Sequence, residues 1–258
     1  MNEYKKNLTL EICDFLRSRE EVLAIWEGGS AATGFEDEWS DLDLITVTEQ
    51  KAGDEIFEGL DQLLDYSHGI VRRYRVPEPT WHGMSQCFYQ LKDSPEFFYC
   101  DLATVAKDNP NKLTERDRHG TARVYYDPQR IFAATSTPEQ ELNTIARRVW
   151  QSVTGIDFVL SIELGKAMKR GIMIDCISLY QSFIHRCLIP LLNLKYRPHK
   201  ADFGYRYIHR DFPKEVVLQI ENLFEDITSK NLSYSIPILL KLYEDTKQEL
   251  STRFEQPG

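Results

Sequence analysis

The 258-residue sequence predicts an α/β (α+β) chain: a small mixed sheet domain followed by an all-α helix bundle. Three observations carry this. Short β-branched runs alternate with amphipathic segments as far as about residue 105; a stretch with two prolines and a Ser/Thr cluster, DPQRIFAATSTP, follows at 127–138; and nearly every later pattern is helical. The expected domains are 1–130 and 137–258, with a linker near 128–137.

From Asn2 to about Arg19, Leu8, Ile12, Phe15 and Leu16 recur at the spacing of one helical face, predicting an opening helix. Val22–Trp26 reads as a short strand ending in the turn Gly28-Gly29-Ser30. A helix is expected just after Ser30. The run DLDLITVT is β-rich and of strand length. Asp54–Tyr66 is amphipathic with a helical period, and Ile70–Val76, Gln86–Leu91 and Phe97–Val105 read as further strands. In the second domain helices are expected over Glu139–Val153 running on towards Lys169, Met173–Leu192, Lys214–Asp226 and Ser235–Glu249, with Ile189-Pro190 kinking or ending the second of these.

Composition narrows the function. Nothing approaches the roughly 20 apolar residues of a membrane span, and the amphipathic, mixed-charge start is unlike a signal peptide, so a soluble cytoplasmic protein is expected. The five cysteines are scattered, without a C-x-x-C pair, and read as buried thiols. A net charge of -9 disfavours a nucleic-acid substrate. Arg72, Arg73 and Arg75 interleave with Tyr74 on one predicted strand and read as a salt-bridged sheet face.

The chemistry concentrates between Trp26 and Ile45. Gly28 and Gly29 permit a tight turn whose backbone N–H groups, with Ser30, can approach a phosphate. After ten intervening residues Ser30 is followed by Asp41 and Asp43, two apart on a strand and so projecting from one face. Paired carboxylates repel each other and resist burial unless a cation neutralises them, and oxygen ligands suit a hard divalent ion. Ile45 and Val47 continue that face while Leu42 and Leu44 take the other, so the strand is expected to be covered on both sides further along. Asp101 is the only charge in FFYCDLATV and is the candidate third carboxylate.

G-G-S, a spacer of ten residues, then D-x-D on a strand resembles the signature of the DNA-polymerase-β-like nucleotidyltransferases. The later Asp-bearing strand and helical second domain resemble the antibiotic adenylyltransferases of the streptomycin and lincosamide type. The resemblance covers residues 22–48 well and 97–105 fairly, and thins beyond. It implies that Gly29 and Ser30 contact the triphosphate of ATP, with Gly28 shaping the turn. It further implies that Asp41 and Asp43 bind two Mg²⁺ ions, and that Asp101 is a third ligand or the general base. Lys166-Ala-Met-Lys-Arg170 is similar to a K-G-L-x-R segment of streptomycin-type enzymes, making Lys166 and Arg170 triphosphate contacts and Glu163, on the same helical face, an acceptor contact.

The reaction so implied moves a nucleoside monophosphate from ATP to a hydroxyl of a small molecule, held in a cleft between the domains. Alternatives that share the pocket are transfer to a protein or RNA end, and a nucleotide-binding module without turnover. Each residue also has a structural reading. Asp101 fits a core ion pair, Lys166 and Arg170 a solvated helix face, and Glu36, Asp37 and Glu38 a solvated acidic loop. Trp81 and His82, in the loop PEPTWHG, fit either a wall of the acceptor pocket or a packed corner. The aromatic-basic run 196–210 fits structure or acceptor contacts better than zinc.

Overall fold

In the computed structural model, which describes residues 3–225, 227 and 231–254, the chain divides into two compact units, Met1–Thr137 and Pro138–Gly258. The first begins with helix α1 (Glu3–Arg17), strand β1 (Val22–Glu27), the one-turn helix α2 (Gly29–Thr33) and strand β2 (Leu42–Thr48). Helix α3 (Gly53–His68) leads to strands β3 (Ile70–Arg75), β4 (Ser85–Leu91) and β5 (Cys100–Ala106), and a four-residue helix α4 (Arg116–His119) to strand β6 (Arg123–Tyr126). These strands form one mixed sheet in the order β3-β4-β5-β2-β1-β6, in which β2 and β5 run parallel and the other neighbours antiparallel.

Period-2 alternation gives the sheet two different faces. On one, Leu42 and Leu44 of β2, Cys100 and Leu102 of β5, and Cys87, Tyr89 and Leu91 of β4 are buried beneath Leu8, Ile12 and Leu16 of α1 and Ile56, Phe57 and Leu60 of α3. The other face has a smaller core of Ala24, Trp26, Ile45, Val47, Ala103 and Val105, covered by Leu113, Ala122, Ile131 and Phe132 from the segment around α4 and β6. That cover reaches the Ile45 and Ala103 level of the central pair. Two residues nearer the N-terminal ends of β2 and β5, on the same face, Asp43 and Asp101 are only partly buried.

Several predicted boundaries move. The strand expected over 97–105 begins only at Cys100, because Phe97 has a left-handed φ of 64° and turns the chain. The helix expected after Ser30 begins at Gly29 and stops after five residues at Gly34, whose φ is 74°. Neither α4 nor β6 has a periodic signal long enough to read.

The second unit is helical: α5 (Glu139–Arg170), α6 (Met173–Phe183), a π-helical segment (Ile184–Leu188), α7 (Ile189–Tyr196), α8 (Ile208–Asp211), α9 (Lys214–Phe224) and α10 (Leu232–Phe254), with a 3-10 turn at Pro198–Lys200. The segment expected as one helix with a kink or end at Ile189-Pro190 divides into α6, the π-helical segment and α7, and α7 begins at Ile189; Pro190 falls at this division. It stands in the first turn of α7, after a segment in which the Ile189 N–H donates to the Ile184 carbonyl, a wider loop that accommodates the missing proline donor. The expected end of α9 at Asp226 and the start of α1 at Asn2 lie outside the described residues. In the 196–210 run, Arg197 is buried and donates to the Asn193 side chain, the Gly204 carbonyl and Asp211, a structural role. The five cysteines are all buried free thiols. No described helix is long and apolar enough to cross a membrane.

Candidate active site

The parallel pairing of β2 with β5 sets Asp43 directly opposite Asp101. Continuing across the sheet, Phe88 of β4 is the partner of Asp101, Tyr74 of β3 is the partner of Phe88, and on the other side the Gly28 N–H donates to the Asp43 carbonyl at 3.0 Å. One row of the sheet therefore reads Tyr74, Phe88, Asp101, Asp43, Gly28. Asp41 stands just before β2.

Gly29 closes over the acidic end of this row. Its φ is +53°, and a Cβ placed on it would lie 1.7 Å from Oδ2 of Asp43, so only glycine lets the backbone approach the carboxylate this closely. Gly28 is different: a Cβ there would meet nothing nearer than Ile45 at 3.9 Å. Beside Gly29, the Ser30 hydroxyl is buried and has no hydrogen-bond partner among the described residues. A hydroxyl left so costs about 1–3 kcal/mol, which a bound acceptor oxygen would offset.

Two residues that sequence reasoning missed hold the other carboxylates. The Gln86 amide donates to both oxygens of Asp101, at 2.6 and 2.9 Å. The Tyr99 hydroxyl is hydrogen-bonded to Asp41. Its acidity is suppressed first by burial, then by that bond and by the negative charges of Asp41, Asp43 and Asp101 together. Tyr99 is thus close to all three carboxylates. An aromatic two residues before a lone strand aspartate was the available signal for it; Gln86 had none, because its position depends on β4–β5 register.

Among the described residues no group of three or more His, Cys, Asp or Glu side chains is arranged as a ready metal cage. The residues fit a hard cation by kind. The donors are all carboxylate or hydroxyl oxygens, which suit Mg²⁺ rather than a thiolate- or imidazole-seeking metal. The cradle of Gly29 and Ser30 adjoins them.

Trp81 and His82 precede β4, and Glu163, Lys166 and Arg170 belong to the second unit. Trp81 is 85% exposed, whereas His82 is buried, with its Nδ1 accepting from the Met84 N–H at 3.1 Å. Burial lowers the His82 pKa against an opposing hydrogen bond with Gln86, so the imidazole adjoins the amide that holds Asp101. Glu163, Lys166 and Arg170 belong to α5 in the second unit, where Lys166 pairs with Glu163 at 2.6 Å on an exposed face.

The acidic loop before Asp41 corrects an expectation. Glu38 is exposed, but the Glu36 side chain is only 11% exposed and pairs with Lys5 at 2.9 Å and Arg123 at 2.9 Å. Lys5 also pairs with Glu27 at 2.7 Å, and Glu27 accepts from Arg123 and the Tyr125 hydroxyl. This knot ties α1, β1 and β6 to the loop that delivers Asp41. The reading of β3 holds for Arg73, paired with Asp61, and Arg75, paired with Asp54 and Glu78; Arg72 makes no ion pair among the described residues.

No family model matches the chain, and no curated protein matches it. Among solved structures it is similar to an aminoglycoside 6-adenyltransferase from Bacillus subtilis, with 11% identity, 98% of this chain and 91% of that chain covered, and a TM-score of 0.35. It is also similar to a spectinomycin adenyltransferase from Enterococcus faecialis, solved with ATP and spectinomycin, with 11% identity, 99% and 100% coverage, and a TM-score of 0.38. At these values the chemistry of this chain rests on its own residues.

Proposed function

We propose that the chain is a Mg²⁺-dependent nucleotidyltransferase that moves AMP from ATP to a hydroxyl of a small-molecule acceptor. The observation that carries this reading is the pairing of Asp43 with Asp101 under Gly29, the glycine whose backbone packs onto the Asp43 carboxylate. A structural turn has no need of a left-handed glycine pressed against a carboxylate at the partly covered end of a sheet; a phosphate cradle beside metal-binding oxygens does.

In this reading the backbone at Gly28 and Gly29 and the Ser30 hydroxyl bind the triphosphate, and Asp41, Asp43 and Asp101 hold Mg²⁺. When bound, the metal supplies charge neutralisation to the triphosphate and to the departing pyrophosphate. Asp101, fixed by Gln86, takes the acceptor proton as the hydroxyl oxygen bonds to the α-phosphorus. Tyr99 orients Asp41. Lys166 and Arg170 are offered as triphosphate contacts and Glu163 as an acceptor contact on the sequence resemblance alone. Cytoplasmic location and a small-molecule acceptor are part of the same proposal.

Calorimetric titration of a non-hydrolysable ATP analogue, with and without Mg²⁺, tests it on the wild type and on Asp41→Ala/Asp43→Ala. Metal-dependent binding that disappears in the double variant is expected. A folded wild-type chain that binds no nucleoside triphosphate under either condition would overturn the reading.

A further inference from the structure

The carboxylate row does not end at Asp101. Beyond it, Phe88 and Tyr74 occupy the same row, their rings stacked at 6.3 Å and 18°, and Tyr99 meets Phe88 edge-on at 5.8 Å. These rings, with Arg72, Gln90 and Phe97, line a cavity of about 520 Å³. Its aromatic walls are open to solvent: Tyr74 is 58% exposed, Phe97 73% and Tyr99 40%. The exposed Trp39, two residues before Asp41, leans on Phe97 at 6.0 Å. Large aromatics exposed together beside a polar cluster mark a binding surface rather than a core.

Charge fixes the orientation of an occupant. At the far side of the cavity Arg72 is exposed and makes no ion pair among the described residues, while its neighbour Arg73 is engaged by Asp61 at 2.7 Å. A guanidinium offers a planar fork suited to a carboxylate. At the near side stand the three carboxylates, reached through Tyr99, which both lines the cavity and is hydrogen-bonded to Asp41. Strand spacing sets β3 and β5 roughly 10 Å apart across β4. One aromatic ring with a substituent at each end can bridge that distance.

We propose that this groove is the acceptor subsite and that its ligand is a small hydroxylated aromatic acid. The ring lies on Tyr74, Phe88 and Tyr99, the carboxylate pairs with Arg72, and the hydroxyl points to Asp101. The proposal rests on the nucleotidyl-transfer reading. In the step it serves, the ring hydroxyl oxygen bonds to the α-phosphorus of ATP and the bond from that phosphorus to the β-bridging oxygen breaks. Pyrophosphate leaves with the electron pair, and the hydroxyl proton passes to Asp101. A cationic acceptor of the same shape is disfavoured by Arg72.

The test uses a matched pair of probes, 4-hydroxyphenylacetate and tyramine, which share ring and hydroxyl but carry opposite charges. Saturation-transfer NMR on the full chain would compare the wild type with Arg72→Glu and Tyr74→Ala, both exposed positions, while ATP·Mg²⁺ binding is measured in parallel. The acid is expected to bind at least about tenfold more tightly than the amine, a difference on the order of 1.4 kcal/mol. Arg72→Glu should reverse that preference, Tyr74→Ala should weaken both probes several-fold, and ATP binding should survive in each. With ATP and Mg²⁺ the wild type should yield an AMP adduct of the acid, read by mass spectrometry. Equal binding of the two probes, no binding of either, an unchanged preference in Arg72→Glu, or binding without adduct would each overturn the proposal. Loss of ATP binding in the wild type would instead sink the nucleotidyl-transfer reading beneath it.

Discussion

The sheet unit holds two groups of carboxylates, and they are built differently. Glu27 and Glu36 sit inside, closed over by Lys5, Arg123 and Tyr125, with the Glu27 side chain 1% exposed. Asp43 and Asp101 stand opposite each other at the partly covered end of the central strands, with Asp41 on the approach. The first group joins elements together. The second gathers like charges at the partly covered end of the sheet, an approach that like-charge repulsion opposes. Carboxylates enclosed by cations in the interior are architecture; those gathered at the partly covered end of β2 and β5 are the candidate site.

Removing one partner from each group should therefore produce opposite outcomes. Lys5→Met strips a cation from the buried knot and should cost about 3–5 kcal/mol of stability, the usual penalty for breaking a buried pair. Urea unfolding would measure it, and nucleotide affinity per folded molecule should hardly change. Asp43→Asn should do the reverse, with a melting temperature equal to or above that of the wild type and nucleotidyl transfer reduced on the order of 10²–10³-fold or more, as for loss of one transition-state contact. A Lys5→Met protein of unchanged stability, or an Asp43→Asn protein that unfolds, would erase the distinction.

Gly29→Ala probes the boundary between the two groups. A side chain at φ +53° costs roughly 1–2 kcal/mol, and its Cβ would press on the Asp43 carboxylate. We expect a modest loss of stability with a larger loss of ATP·Mg²⁺ affinity, whereas Gly28→Ala, with 3.9 Å of room, should leave affinity nearly intact. Calorimetry on both variants separates a required glycine from a permitted one.

The gentlest effect is a slope against pH. Burial pushes the Glu36 carboxyl up, but hydrogen bonds and charge from Arg123 and Lys5 outweigh it and hold its pKa at about 2, below the ordinary 4.5. A carboxyl depressed by folding contributes its full stability above its unfolded pKa and loses it as pH falls through the folded one. Thermal melts should decline between pH 4.5 and about 2. In Glu36→Gln that part of the decline should vanish, at the expense of lower stability at neutral pH.

Local pattern made much of this legible. The G-G-S turn and D-x-D strand are neighbours in sequence, and their spacing follows from chain geometry alone. The lone charge of Asp101 stands out against an apolar strand, and α5 is legible over Glu139–Val153 and on towards Lys169, one residue short of its end. Glu36 was misread as solvated because one of its partners, Arg123, lies 87 residues away. Nothing around an acidic loop announces a cation at that distance. Pro190 marks the start of α7, whereas the π-helical segment before it has no sequence mark.

The sequence by itself determined which residues have donor atoms suited to phosphate and metal, and that Asp43 and Asp101 lie on strands, because residue type and short-range period are local properties. Only the tertiary structure decided what stands beside them. Parallel register placed Asp101 opposite Asp43, antiparallel register brought Gln86 to Asp101 and lined up Phe88 and Tyr74, and the left-handed turn at Phe97 left the aromatic groove open. Strand order and register are set by burial over the whole sheet. A shift of one residue would turn every one of these side chains to the opposite face.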